Sequence, residues 1–166
     1  MERAISELRA GRAVVLRAGA AQWRLQGIEA ADLKVTAEAK LVLSGARLRF
    51  LGQNLPRGGG LPCAGLSLQR LQNLSLSRAL IEAPTFLAAS ETEVAALDLA
   101  KLALTLPALI ISPATHSGND LICDMSAIPA YRAAQTQNLH IISRAPVPLE
   151  GASSEFVVFR GGEGLR

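Results

Sequence analysis

The chain has 166 residues, 49% hydrophobic and 19% charged, which is the balance of a folded domain with a sizeable core rather than of a disordered segment. Its net charge of +3 comes with dispersed arginines (Arg3, Arg9, Arg12, Arg17, Arg24) and no RNP-like, zinc-finger or helix-turn-helix pattern, so no nucleic-acid partner is expected. The longest apolar stretch, 102–111, is interrupted by Thr105 and Pro107 and falls short of the roughly 20 residues that span a bilayer, so no membrane partner is expected either.

Glu2–Ala10 is predicted to form a short helix, because Ala4, Ile5 and Leu8 recur at helical spacing and Gly11 supplies the stop. A buried strand follows at Ala13–Leu16, then short strands at Trp23–Leu25, Leu33–Val35 and Leu41–Leu43. Gly52–Gly65 holds Pro56, Gly58, Gly59, Gly60 and Pro62 and reads as a mobile loop. The glycine run is read as a flexible loop rather than a phosphate loop, since no Lys follows it and no convincing strand precedes it. Leu66–Ser77 then reads as one or two helical turns.

From residue 90 the pattern is sharper. Ser90 and Glu93 form a capping box that opens a helix over Glu91–Leu104, with Val94, Leu97 and Leu104 marking its buried side. Pro107 ends this helix, and Ala108–Ile111 is an apolar strand. Leu121–Cys123 and Leu139–Ile142 are predicted strands on either side of a helix that Ser126 opens and that runs to about Gln137. The series is an α/β pattern with short connections. Ala145-Pro146-Val147-Pro148 reads as a stiff linker, which divides the chain into a domain over 1–145 and a tail over 146–166. Phe156–Phe159 is a strand with apolar residues on both faces. It either pairs back onto the main sheet or opens a second domain.

Chemistry-bearing residues are few. Cys63 and Cys123 lack CxxC spacing and read as free, partly buried thiols, and a start without an apolar leader region points to the cytoplasm. His140 falls in an apolar strand and reads as a half-buried strand residue. His116, Ser117 and Asp120 are too close in sequence to face one another as a triad, and no GxSxG elbow is present. No catalytic residues are assigned. Asp120 and Asp124 flank a short strand and, with His116, form the one weak candidate cation site, without the dense oxygen spacing of a calcium loop. Glu91 and Glu93 are explained by their place in the first turn of a helix.

The segment Thr92-Glu93-Val94-Ala95-Ala96-Leu97-Asp98-Leu99-Ala100-Lys101-Leu102-Ala103 resembles the helix after the catalytic histidine of 3,4-dihydroxy-2-butanone 4-phosphate synthases, whose pattern is roughly GHTEAAVDLARLAG. The strand after Pro107, Met125, Pro129 and Leu139-His140-Ile141-Ile142-Ser143 continue the match in order, and Ala4–Leu16 resembles that family's opening. Val147-Pro148-Leu149 with Phe156–Gly162 resembles the lead-in to the cyclohydrolase domain of GTP cyclohydrolase II proteins, particularly alphaproteobacterial ones, which carry a degenerate synthase-like domain at the N-terminus. The resemblance implies an α/β fold, a mixed-sheet sandwich with helices, and a chain that is this N-terminal domain of a riboflavin-biosynthesis protein. It also implies a homodimer with a cyclohydrolase domain in cis, and zinc in that cyclohydrolase part only, with no cofactor in this chain.

The departures from the family are as informative. Active synthases carry an acidic loop of the type DxEDRENEGD after the first strand, which holds two Mg²⁺ ions and the sugar phosphate. Here that place reads Arg17-Ala18-Gly19-Ala20-Ala21-Gln22-Trp23-Arg24, with no carboxylate. The family's metal-binding histidine falls at Glu91 or Thr92, and a TGISAxDR-type run has no counterpart between Cys63 and Ser90. The expectation is an inactive domain. The alternatives are a divergent metal enzyme using His116, Asp120 and Asp124, or a sensor whose old phosphate pocket, lined by Arg17 or Arg24, takes an anionic metabolite.

Overall fold

The computed structural model describes residues 1–114, 120–149 and 152–161. They fall into two units, Met1–Ile128 and Pro129–Arg166. The boundary lies earlier than the 145/146 division suggested by the prolines.

The first unit opens with helix α1 (Glu2–Arg9), which buries Ala4, Ile5 and Leu8. Gly11, at φ 78, turns the chain into strand β1 (Val14–Ala18). Strand β2 (Ala21–Gly27) returns antiparallel, with Ala18 opposite Ala21. Then come β3 (Lys40–Leu43), α2 (Gly45–Phe50), β4 (Gly59–Pro62), α3 (Leu68–Leu76), β5 (Leu87–Ala88), α4 (Glu91–Leu102), β6 (Ala108–Pro113) and β7 (Leu121–Asp124). The seven strands make one sheet in the order β5-β4-β3-β6-β2-β1-β7. Only the β1–β7 pair is parallel, so the sheet is mixed.

Alternation along β3 and β6 explains the layering. Leu41, Leu43, Ala108 and Ile110 pack with Leu48 of α2 and Leu71 and Leu74 of α3. Val42, Leu109 and Ile111 point the other way and are equally buried, on the side where α4 packs against β6 and β3, and α1 against α4. Both faces of the central strands are thus covered, which is why they read as continuous apolar runs. No helix among the described residues is long and apolar enough to cross a membrane.

Three expectations change. Leu33–Val35 is not a strand: Leu33 leans on the core from an irregular segment, while Lys34 and Val35 are exposed. The expected mobile loop over Gly52–Gly65 contains β4, whose glycines are packed. A Cβ on Gly59 would meet Leu55 Cδ1 at 2.8 Å, the Leu87 carbonyl oxygen at 2.8 Å and Leu48 Cδ1 at 3.0 Å. Leu104 is not on the buried side of α4; it follows the helix at φ 55 and is 78% exposed.

The second unit continues helix α5 (Ala127–Gln137), which begins in the first, and contains the antiparallel pair β8 (His140–Leu149) and β9 (Ala152–Arg160). The Pro146–Pro148 segment is therefore strand rather than linker. Prolines two residues apart share one edge of a strand, and both can lie outward without breaking the ladder to β9. His140, expected half-buried, is exposed at the start of β8.

Candidate functional site

The place where the resemblance implies a metal-binding loop is the β1–β2 connection. The structure gives it two residues, Gly19 and Ala20. Gly19 has φ 63, a conformation that glycine adopts without a Cβ penalty and that suits the first position of a tight hairpin turn. Such a turn presents no side chain longer than a methyl group. No loop remains there to wrap a cation or a phosphate.

Arg17, just before the turn, is committed elsewhere. Parallel pairing sets Arg17 of β1 beside Asp124 of β7. The guanidinium takes the carboxylate with two bonds, Nε to Oδ1 at 2.6 Å and Nη2 to Oδ2 at 2.8 Å. This charge-assisted fork holds the Asp124 carboxyl below its ordinary range and pushes Arg17 up. Arg24 makes a second pair: its Nε donates to Asp120 Oδ2 at 3.0 Å and its Nη1 to Gln26 Oε1 at 3.1 Å. Gln26 is fully buried and donates in turn to Asp32 Oδ1 at 2.8 Å. The two candidate groups named from sequence, cation-binding Asp120 and Asp124 and anion-binding Arg17 and Arg24, thus meet as partners of each other. His116, the third member of the candidate cation site, lies outside the described residues. Among the described residues no cluster of three His, Cys, Asp or Glu side chains could hold a metal.

The second place implied by the resemblance is the start of α4. The capping box forms as expected: Ser90 Oγ accepts from the Glu93 N–H at 3.3 Å, and Glu93 Oε2 accepts from the Ser90 N–H at 2.8 Å. Glu91, one of the two positions (with Thr92) where the resemblance puts the histidine, is exposed, and Arg57 grips it through bonds of 2.7 and 2.8 Å that lower its carboxyl below the usual range. Glu93 is buried, with Oε1 3.2 Å from Lys40 Nζ. Gly60 of β4 lets it in, since a Cβ there would sit 3.1 Å from Glu93 Oε1. Gly58 and Gly60 thus make room for Leu97 and Glu93 of α4, while Gly59 packs against Leu48 and Leu55.

Sequence reasoning missed a cleft of about 600 Å³ lined by Arg3, Glu7, Arg12, Asp120 and Ile122. Within it Glu7 pairs with Arg12, Asp120 is held by Arg24 from outside the lining, and Arg3 adds a further positive charge. The only local signal was Arg3 and Glu7 at i,i+4 on α1. Cys63 and Cys123 are free and buried, and burial pushes the Cys63 thiol up to about 11, far from a reactive thiolate.

No family model matches the chain. Over 180 aligned residues it is 33% identical to the GTP cyclohydrolase-2 of Xylella fastidiosa strain 9a5c, and over 177 it is 32% identical to that of strain Temecula1. Each alignment covers 97% of this chain but 44% of the relative, so the chain spans less than half the length of these curated relatives. Among solved structures, a two-domain 3,4-dihydroxy-2-butanone 4-phosphate synthase from A. baumannii matches with TM-score 0.57 and 17% identity, over 96% of this chain and 66% of that one. The 3,4-dihydroxy-2-butanone 4-phosphate synthase of Candida albicans matches with TM-score 0.57 and 13% identity, over 79% of this chain and 96% of that one. The chain has the fold of these synthases, and in sequence it corresponds to one part of proteins named GTP cyclohydrolase-2.

Proposed function

We propose that this chain is a synthase-derived domain without synthase chemistry, acting as a scaffold, dimerisation or regulatory module of a GTP cyclohydrolase II protein in riboflavin biosynthesis. The observation that carries the reading is the Gly19-Ala20 turn, which replaces a liganding loop by two residues. Hard divalent cations need several oxygen donors in an open shell. The donors present do not fit two such ions. Asp120 and Asp124 are held by Arg24 and Arg17, and Glu91 by Arg57. The same pairs count against an anion sensor built on Arg17 or Arg24, because an incoming anion would have to displace a carboxylate already in place.

In this reading the zinc chemistry belongs to the cyclohydrolase part of a longer chain, and the synthase-like part contributes assembly, as a homodimer in the manner of its fold. The test is direct. Purified chain incubated with ribulose 5-phosphate and Mg²⁺ is expected to form no product. Turnover that survives repurification and follows the protein through two unrelated columns overturns the proposal.

A further inference from the structure

β7 (Leu121–Asp124) stands at one end of the seven-stranded sheet, with β1 on one side and, among the described residues, no strand on the other. The ladder to β1 determines which of its backbone groups are left over. The Met125 N–H donates to the Arg17 carbonyl at 2.9 Å, and residues along a strand turn their N–H and C=O groups to alternate sides. Leu121 and Cys123 therefore face β1, whereas Ile122 and Asp124 turn theirs to the outer edge. Such an edge is a template for a further strand, and proteins guard it with charge, proline or brevity. β7 is short but holds no proline. The aspartates on either side of Ile122 are neutralised by Arg24 and Arg17, so their charge does not guard it.

The cleft of about 600 Å³ opens beside this edge, with Arg3 and Glu7 of α1 on one wall and Leu121 and Ile122 on the other. The two faces of β7 offer different things. Cys123 Sγ lies 3.9 Å from Met1 Sδ, so Leu121 and Cys123 point to the side where α1 packs. Ile122 points to the opposite side and is 49% exposed. On the α1 side Glu7 is taken by Arg12 and Asp120 by Arg24, which leaves the charge of Arg3 without a carboxylate among the described residues. A strand laid along β7 would thus meet an apolar neighbour on one face and a spare guanidinium on the other. Side chains of the added strand alternate in the same way. A second copy of β7 does not supply that pattern, because the neighbours of Ile122 are Leu121 and Cys123, neither of them acidic.

We infer that the outer edge of β7 is a docking site for an extended peptide segment of a partner protein. The segment adds to the sheet as a strand, with an apolar residue beside Ile122 and an acidic residue next to it in sequence, turned toward Arg3. Main-chain hydrogen bonds supply the affinity of such an addition and the alternating side chains its specificity. The inference goes beyond the scaffold reading and does not depend on the loss of synthase chemistry. Its cleft lies at the other end of β1 from the Gly19-Ala20 turn, so the turnover assay above and the experiment below fail separately.

A library of displayed random peptides of about 12 residues is selected on the immobilised chain, and enriched sequences are synthesised with a fluorescent label for anisotropy titrations. Enriched peptides are expected to alternate apolar and acidic residues over about five positions. Ile122→Pro removes the outward N–H and spares the ladder to β1, so it should weaken binding at least about 10-fold. Arg3→Glu should weaken it at least about 5-fold. Methylating the peptide's backbone nitrogens one at a time reads the edge without touching the protein. Methyl groups on the amides that face β7 should abolish binding, and those on the amides between them should not. If Ile122→Pro does not fold, the methylated peptides decide alone. No enriched sequence, enriched sequences without an acidic residue, or binding indifferent to Arg3→Glu or to every backbone methyl overturns the inference. So does self-association of the chain that Ile122→Pro abolishes, since that assigns the edge to a second copy.

Discussion

Replacing Glu93 by alanine removes a buried carboxylate that does three jobs, and their sizes can be worked from the structure. It closes the capping box through the 2.8 Å bond from the Ser90 N–H, a contact whose loss costs about 1 kcal/mol. Its charge in the first turn of α4 faces the positive end of the helix dipole, contributing about 0.3–1 kcal/mol. Its carboxyl group lies against Gly60 and the residue is buried, and burying the methylene groups behind that carboxyl is worth about 1 kcal/mol. The Lys40 pair adds little, because Lys40 is half exposed. Glu93→Ala should therefore destabilise the chain by about 2–3 kcal/mol, or about 5–10 °C in Tm for a domain of this size. Glu93→Gln keeps the shape and the acceptor for Ser90 and loses only the charge, so its cost should stay below about 1 kcal/mol. Urea unfolding followed by circular dichroism measures both. An alanine variant within about 0.5 kcal/mol of the parent would refute the structural assignment. So would a glutamine variant as damaging as alanine. A residue retained for a ligand's sake commonly costs stability, and its removal would then be neutral or stabilising.

Leu104 follows α4 in the left-handed region with its side chain 78% exposed, so Leu104→Gly should relieve backbone strain at little loss of burial. The expected gain is about 0.5–1 kcal/mol in urea unfolding, and a loss of similar size would refute it. Asp124 and Glu91 are held below their ordinary values of 3.8 and 4.5 by Arg17 and Arg57. Because these folded-state values are lowered, their stabilisation is complete above about pH 4.5 and is lost as pH falls through them. In Arg17→Gln the Asp124 carboxyl, followed by NMR, should titrate back near 3.8; an unmoved midpoint would refute the fork.

The elements that local rules govern were legible in the sequence. Ser90 and Glu93 announced the start of α4 because a capping box is written within four residues. Leu8, Val14, Leu16, Leu109 and Ile110 announced the core because burial follows period and apolarity. β4 was not legible, since Gly58, Gly59 and Gly60 look like a loop until the tertiary structure brings Leu48, Leu55, Leu87 and Leu97 up to where side chains would be. The short helix α2 was missed too, although Ser44 caps it and accepts from the Arg47 N–H. Six residues with Gly45 at the start and alternating arginines carry no helical period to read. The Arg17–Asp124 fork joins residues 107 apart in the chain. It depends on the parallel β1–β7 register, which no local pattern specifies.

That register also says what Arg17, Arg24, Asp120 and Asp124 do in this fold. β7 is an edge strand of four residues, and among the described residues its one ladder is the parallel pairing to β1, the slightly weaker kind of pairing. Asp120 just before it and Asp124 at its end are each gripped by a guanidinium, from Arg24 of β2 and Arg17 of β1. A liganding loop between β1 and β2 would need carboxylates free to face an ion. Here the carboxylates are on β7 and the cations on β1 and β2, so the charges close on each other across the sheet. Building a metal site there would therefore require more than lengthening the Gly19-Ala20 turn. Any inserted acidic loop would lie beside Arg17 and compete with Asp124 for it, loosening the edge strand as it gained an ion pair of its own. The groups that sequence alone offered as candidate ligands are part of what keeps the sheet's edge in place.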